Sequence, residues 1–111
     1  MITNKTKKRI ITTDYIICSS YLSKTFGLIF RRFTTLVFIH KKEITITLHM
    51  FFVFYPIDVI LLNKDKRVVE LKSNFKPFTI WMPKEKSKYI IELRNNIIRE
   101  RHIEIGDSIE F

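Results

Sequence analysis

An almost wholly apolar stretch, Leu48-His49-Met50-Phe51-Phe52-Val53-Phe54-Tyr55-Pro56-Ile57-Asp58-Val59-Ile60-Leu61-Leu62, has to be buried, yet it takes a histidine, a proline and a carboxylate with it. Counted from Ile44, the run is long enough to raise a membrane helix. His49, Pro56 and Asp58 interrupt it, Glu43 and Lys64 flank it, and a charge near a bilayer centre is costly. The β-branched and aromatic content points instead to two strands joined by a proline turn. Pro56 cannot donate to a sheet ladder, so it opens a strand over Ile57–Leu62 rather than sitting inside one.

The rest of the chain carries strand signals at short intervals. Arg9–Cys18, broken by Thr12-Thr13-Asp14, predicts one bent strand or two short ones. Ser19 or Ser20 can cap a short helix over Tyr21–Phe26 that Gly27 ends. Thr35–His40 predicts a strand, and Lys41-Lys42-Glu43 a turn. The alternating Ile44-Thr45-Ile46-Thr47-Leu48 then pairs back as an antiparallel hairpin. Asn63–Lys66 turns the chain into Arg67–Leu71. Thr79-Ile80-Trp81 and Lys88–Leu93 are further extended pieces. Asn95 or Asn96 starts a short helix that runs to about Arg101, and Ile103–Phe111 forms an arch turning at Gly106-Asp107. Met1–Lys8 is polar and basic, and is expected to fray. Residues 9–111 thus form one compact α+β domain, predominantly β, of short antiparallel strands and two short helices, with closure into a small barrel as one option.

With 111 residues there is room for one domain. Two glycines rule out a glycine-rich phosphate loop or dinucleotide fingerprint. One cysteine, Cys18, excludes an internal disulfide and a cysteine-based zinc site. It reads as a small buried hydrophobe and suits a reducing cytoplasm. No apolar stretch with a small-residue cleavage site follows the basic start, so no secretory signal is expected. The net charge is +9, and residues 1–42 hold nine Lys/Arg against one acid while residues 43–111 hold eleven against ten. A basic first third suits either a solvated lysine-rich surface or a polyanion-binding face.

Five segments, in order, are similar to one known family. Phe26-Gly27-Leu28-Ile29-Phe30-Arg31 resembles its GLMFR segment, and Leu48–Leu61 resembles IHTFFMRFPIDVVFL. Asn63-Lys64-Asp65-Lys66-Arg67-Val68-Val69 resembles DKDGRVV, Ile90–Leu93 resembles VLEL, and Ile103–Asp107 resembles GIEVGD. Over roughly residues 9–111 the chain resembles the domain-of-unknown-function family 192 of bacteria and archaea. Lys66 stands where that family has a turn glycine, and Arg94-Asn95-Asn96 where it has Pro-Ala-Gly. Asn tolerates the left-handed conformation and can replace that glycine. The resemblance implies no reaction. It does imply four recurring polar positions: Arg31, His49, Asp58 and Glu92.

Each of these positions has a structural and a functional reading. Asp58 is a structural acceptor for backbone amides or an ion pair, or else a site acid or metal ligand; the first is favoured, because a buried charge needs a partner for stability alone. His49 reads better as a satisfied core histidine than as a ligand or base. No metal-ligand spacing includes it, and His40 and His102 are isolated. Arg31 or Arg32 can pair with a buried carboxylate or hold an anionic group. Glu92 points opposite to Ile91 and Leu93, either to solvent or into a polar cavity. The favoured function is a non-catalytic pocket for a small anionic ligand or protein partner, lined by Arg31, His49, Asp58 and Glu92. One alternative is nucleic-acid binding through Arg31, Arg32, Lys41, Lys42 and Trp81, with Phe78 and Tyr89 as further stacking residues. A second is an enzyme built on Asp58, His49 and Glu92. No nucleophile elbow occurs, and no cofactor, metal or membrane partner is indicated.

Overall fold

The computed structural model describes residues 1–18, 35–49 and 55–111, with Cys18 and His49 through their backbones only. Among these residues ten strands follow in chain order: β1 (Ile2–Asn4), β2 (Arg9–Thr12), β3 (Ile16–Cys18), β4 (Leu36–Ile44), β5 (Leu48–His49), β6 (Ile57–Leu62), β7 (Val68–Phe75), β8 (Ile80–Trp81), β9 (Ser87–Arg94) and β10 (Ile109–Glu110). One helical turn, α1 (Ile97–Glu100), lies between β9 and β10. The helix expected over Tyr21–Phe26 falls outside the described residues.

The centre is a five-stranded sheet in the order β3-β4-β9-β6-β7, antiparallel except for the β3–β4 pair. Strand β6 opens directly after Pro56, as its missing N–H demands. All six of its residues are buried, so it reads apolar on both faces rather than alternating. One face packs Val37, Ile60, Leu62, Ile91 and Leu93 against Ile2, Ile11, Ile97, Ile98, Ile103 and Ile109. The other packs Leu36, Phe38, Val59, Leu61 and Ile90 against Leu48, Phe75 and Trp81. A β10-β1-β2 sheet and α1 therefore supply the cover of the first face, and the two-stranded β5–β8 sheet contributes to the cover of the second. The three sheets do not close into a barrel.

Three sequence expectations are corrected. First, Lys41-Lys42-Glu43 does not turn the chain. Strand β4 runs through it to Ile44, with a register irregularity against β9 between Ile39 and Ile44. The expected hairpin with residues 44–48 is replaced by pairing of β4 with β3 and β9, because an interior strand needs two neighbours. A run without Gly or Pro is absorbed as a bulge more readily than as a tight turn. Second, Ile103–Ile105 forms no strand; Glu104–Asp107 is a turn, with Gly106 at φ 94°. Third, residues 1–8 are not frayed.

The order of that first segment comes from partners about a hundred residues away. Ile2 and Asn4 are both fully buried. The Asn4 amide donates to Asp107 Oδ2 at 2.7 Å. Lys7 Nζ donates to the same oxygen at 3.1 Å, to Glu104 Oε1 at 2.7 Å and to the His102 carbonyl at 2.7 Å. The Glu104 backbone N–H completes the set at 3.0 Å. Burial would raise the Asp107 carboxyl, but the Asn4 bond, the Glu104 amide and Lys7 outweigh it and hold the group below its ordinary value. A depressed carboxyl contributes stability that is present above its unfolded value of 3.8 and lost as pH falls through the lower folded value. Urea unfolding as a function of pH should therefore show stability falling below about pH 4. Asp107→Asn should cost about 1–3 kcal/mol at neutral pH and flatten that acid slope.

Candidate functional site

Asp58, the second residue of β6, is completely buried. It pairs with Leu93 across the β6–β9 ladder, so both point to the face covered by α1. Its Oδ2 accepts the Ile98 N–H at 2.9 Å, and its Oδ1 accepts the Asn74 N–H at 3.0 Å. Asn74 sits at φ 53° where the β6–β7 register shifts between Ile57 and Val59. Asn96, at the N-cap of α1, has φ 76° and makes no side-chain capping bond. Asp58 takes that role from across the sheet, giving the helix start both an acceptor and a negative charge. Both carboxylate oxygens are thus committed to backbone amides, which is the structural reading.

Glu92 is buried as well, on the opposite side. Its register partners are Leu36 and Val59, both members of the second apolar cluster. Asp58 and Glu92 therefore project from opposite faces of one sheet, and a single cavity cannot hold both carboxylates. His49 pairs with Ile80 in the β5–β8 ladder. Arg31 and Arg32 lie outside the described residues. The four-residue pocket of the sequence reading is not brought together by the Asp58–Glu92 pair.

The stacking residues expected for nucleic acid are largely core. Trp81 packs edge-to-face on Phe75, with centroids 6.2 Å apart, and Tyr89 packs on Phe111 at 5.4 Å. Phe78 alone of the three is exposed, while Lys41 and Lys42 stand in solvent on β4. Burial pushes the His40 imidazole below its ordinary value, and its Nε2 has no hydrogen-bond partner among the described residues. No group of three His, Cys, Asp or Glu placed to hold a metal occurs among the described residues.

A concave site lies elsewhere, against the edge of the first core. A cleft of about 230 Å³ is lined by Ile10, Ile11, Thr12, Thr13, Thr35, Leu93, Arg94, Ile97 and Arg101. Strand β2, the entry to β4, the end of β9 and α1 contribute to it, so four separate segments converge. Among the described residues its side-chain polar groups are two guanidinium groups and three threonine hydroxyls, of which that of Thr12 donates to the Asp14 carbonyl at 3.1 Å. Thr35 is buried. Arg94 is held by Glu100 in a bidentate pair, Nη1–Oε2 2.8 Å and Nη2–Oε1 3.1 Å. That bond raises the Arg94 value and lowers the Glu100 value. Arg101 is exposed and makes no ion pair within 4.0 Å among the described residues. The cleft thus offers one committed and one uncommitted cation beside neutral donors, a set that suits an anion of small size. Sequence reasoning missed it, because no local spacing links Thr12 and Thr13 to Thr35, Arg94 and Arg101.

The architecture is a single, mostly β domain whose central mixed sheet is buried on both faces. Over residues 2–111 the chain matches the family described as "Uncharacterized ACR, COG1430" (DUF192), and it belongs to that family. A UPF0127 protein of Thermococcus sibiricus is 36% identical over 115 residues, covering 100% of this chain and 74% of that protein. A UPF0127 protein of Pyrococcus furiosus is 34% identical over 111 residues, covering 97% of this chain and 95% of that protein. The crystal structure of a protein of unknown function from Novosphingobium aromaticivorans superimposes with a TM-score of 0.85 at 20% identity, covering 99% of this chain and 83% of that one. That likeness shows the fold. None of these relatives carries an assigned activity in its description.

The Asp58 arrangement predicts a large stability effect. Asp58→Ala leaves the Ile98 and Asn74 amides without their acceptor, and should cost on the order of 3 kcal/mol. Thermal unfolding should show a drop in Tm of about 10–20 °C. An unchanged melt would refute the capping role.

Proposed function

We propose that this protein is a non-catalytic binding domain for a small anion, which sits in the cleft between β2, the start of β4, the end of β9 and α1. The observation that carries this reading is the 230 Å³ cleft whose polar lining is Thr12, Thr13, Thr35, Arg94 and Arg101. Arg101 supplies the uncommitted charge, Arg94 a second cation already oriented by Glu100, and Thr35 a buried donor. Among the described residues the lining combines two cations with threonine hydroxyls, and the Glu100 carboxylate next to it is taken up by Arg94, a set that suits holding an anion. A cytoplasmic setting goes with this reading, given one cysteine in the chain.

The test is a thermal-shift screen of small phosphates and carboxylates at low ionic strength, followed by calorimetric titration. A ligand at a hundredfold excess over its Kd should add about 2.7 kcal/mol to stability. Arg101→Ala should weaken binding about tenfold or more, as expected for loss of a charge-assisted contact, and Thr35→Val by less. Equal binding by Arg101→Ala, or no shift with any anion, would overturn the proposal.

A further inference from the structure

We infer that the segment around β8 is a docking surface for an anionic lipid bilayer, independent of the anion cleft. Phe78, Ile80 and Met82 are 59%, 57% and 71% exposed. Ile80 and Met82 alternate with Trp81, which turns inward onto Phe75, so one edge of this short segment presents apolar side chains while its other side is anchored in the core. Phe78 stands on the preceding turn at φ 63°, and the Thr79 hydroxyl donates to the Lys76 carbonyl across that turn. Pro83 is buried directly after Met82. The row is therefore fixed at both ends.

Charge selects the occupant. Lys76 precedes the row, Lys84 and Lys86 follow it, and all three are exposed. Glu85 lies among them, and the Glu70 carboxylate accepts the Glu85 backbone N–H at 2.8 Å, so two acids stand beside three lysines and the segment keeps a net positive charge. Large apolar side chains bracketed by lysines match the boundary of an anionic leaflet. There the apolar groups enter the headgroup region and each ammonium group meets lipid phosphate or carboxylate. Nucleic acid fits less well, because Ile80 and Met82 have no ring on which a base can stack. A protein interface fits less well, because lysine is depleted there. No helix among the described residues is long and apolar enough to cross a membrane, and a surface contact does not need one.

The test is co-sedimentation of the full chain with vesicles of phosphatidylcholine alone and of phosphatidylcholine mixed equally with phosphatidylserine. Binding to the mixed vesicles only, weakened by salt, is expected. Ile80→Asp with Met82→Asp should reduce it at least tenfold. Lys84→Gln with Lys86→Gln should reduce it about fivefold per lysine. Both pairs are on exposed side chains, and unchanged thermal melts would confirm that the variants fold. The proposal fails if neither vesicle binds at low salt. It fails if the aspartate pair binds undiminished, which would leave only diffuse charge. It also fails if the wild type self-associates without lipid and the aspartate pair abolishes that, or if single-stranded RNA binding is what the aspartate pair removes.

Discussion

The Asp58 carboxylate connects parts of the chain that apolar packing alone would leave free to slide. One oxygen fixes the start of α1 and the other fixes the bulge in β7, and the residue itself belongs to the interior strand β6. Burying a charge costs several kcal/mol unless it is compensated, so the arrangement tolerates little displacement. Because α1 supplies Ile97 and Ile98 to the first core and helps line the anion cleft, the position of the cleft depends on the same carboxylate. A residue that could pass for a catalytic acid is instead what sets the distance between sheet and helix.

Much of the fold was legible in the sequence because the signals were local. Pro56 marked the start of β6, the Asn63–Lys66 turn marked the β6–β7 hairpin, and Asn96 took the left-handed conformation expected of it. The failures were non-local. Lys41–Glu43 looked like a turn because its charges suggest solvent, but charged residues stay solvated on a bulged strand as readily as in a loop. The first residues looked disposable because their partners, His102, Glu104 and Asp107, lie at the far end of the chain. The pocket grouping failed on parity. Asp58 and Glu92 sit one position out of register on adjacent strands, and a one-residue offset sends side chains to opposite faces. Likewise, the cleft draws on four segments whose proximity only the completed topology creates.

Lys66 shows how a local departure is absorbed. It occupies the turn position with φ 61°, a conformation that costs a side-chain-bearing residue about 1–2 kcal/mol. Its Nζ donates to the Phe111 carbonyl at 3.0 Å and stands 3.9 Å from the Phe111 ring centroid. Tyr15 and Tyr89 pack edge-on against that same ring. A glycine would relieve the backbone but could not hold the phenylalanine, so the strained residue is offset by what its side chain reaches.

The β10–β1–β2 sheet has a consequence for the order in which the chain folds. β1 and β2 can meet at once, since the turn between them is short, but Thr3 must wait for Glu110 before its other edge is filled. Closing a loop of about a hundred residues costs about 4 kcal/mol of chain entropy if nothing else has formed. Assembly of the central sheet first removes most of that cost, which puts β1–β10 pairing late in folding and makes it a natural place for the first opening. During synthesis β1 would then be made well before its partner β10 and wait for it, with Ile2 uncovered until the other end of the domain arrives.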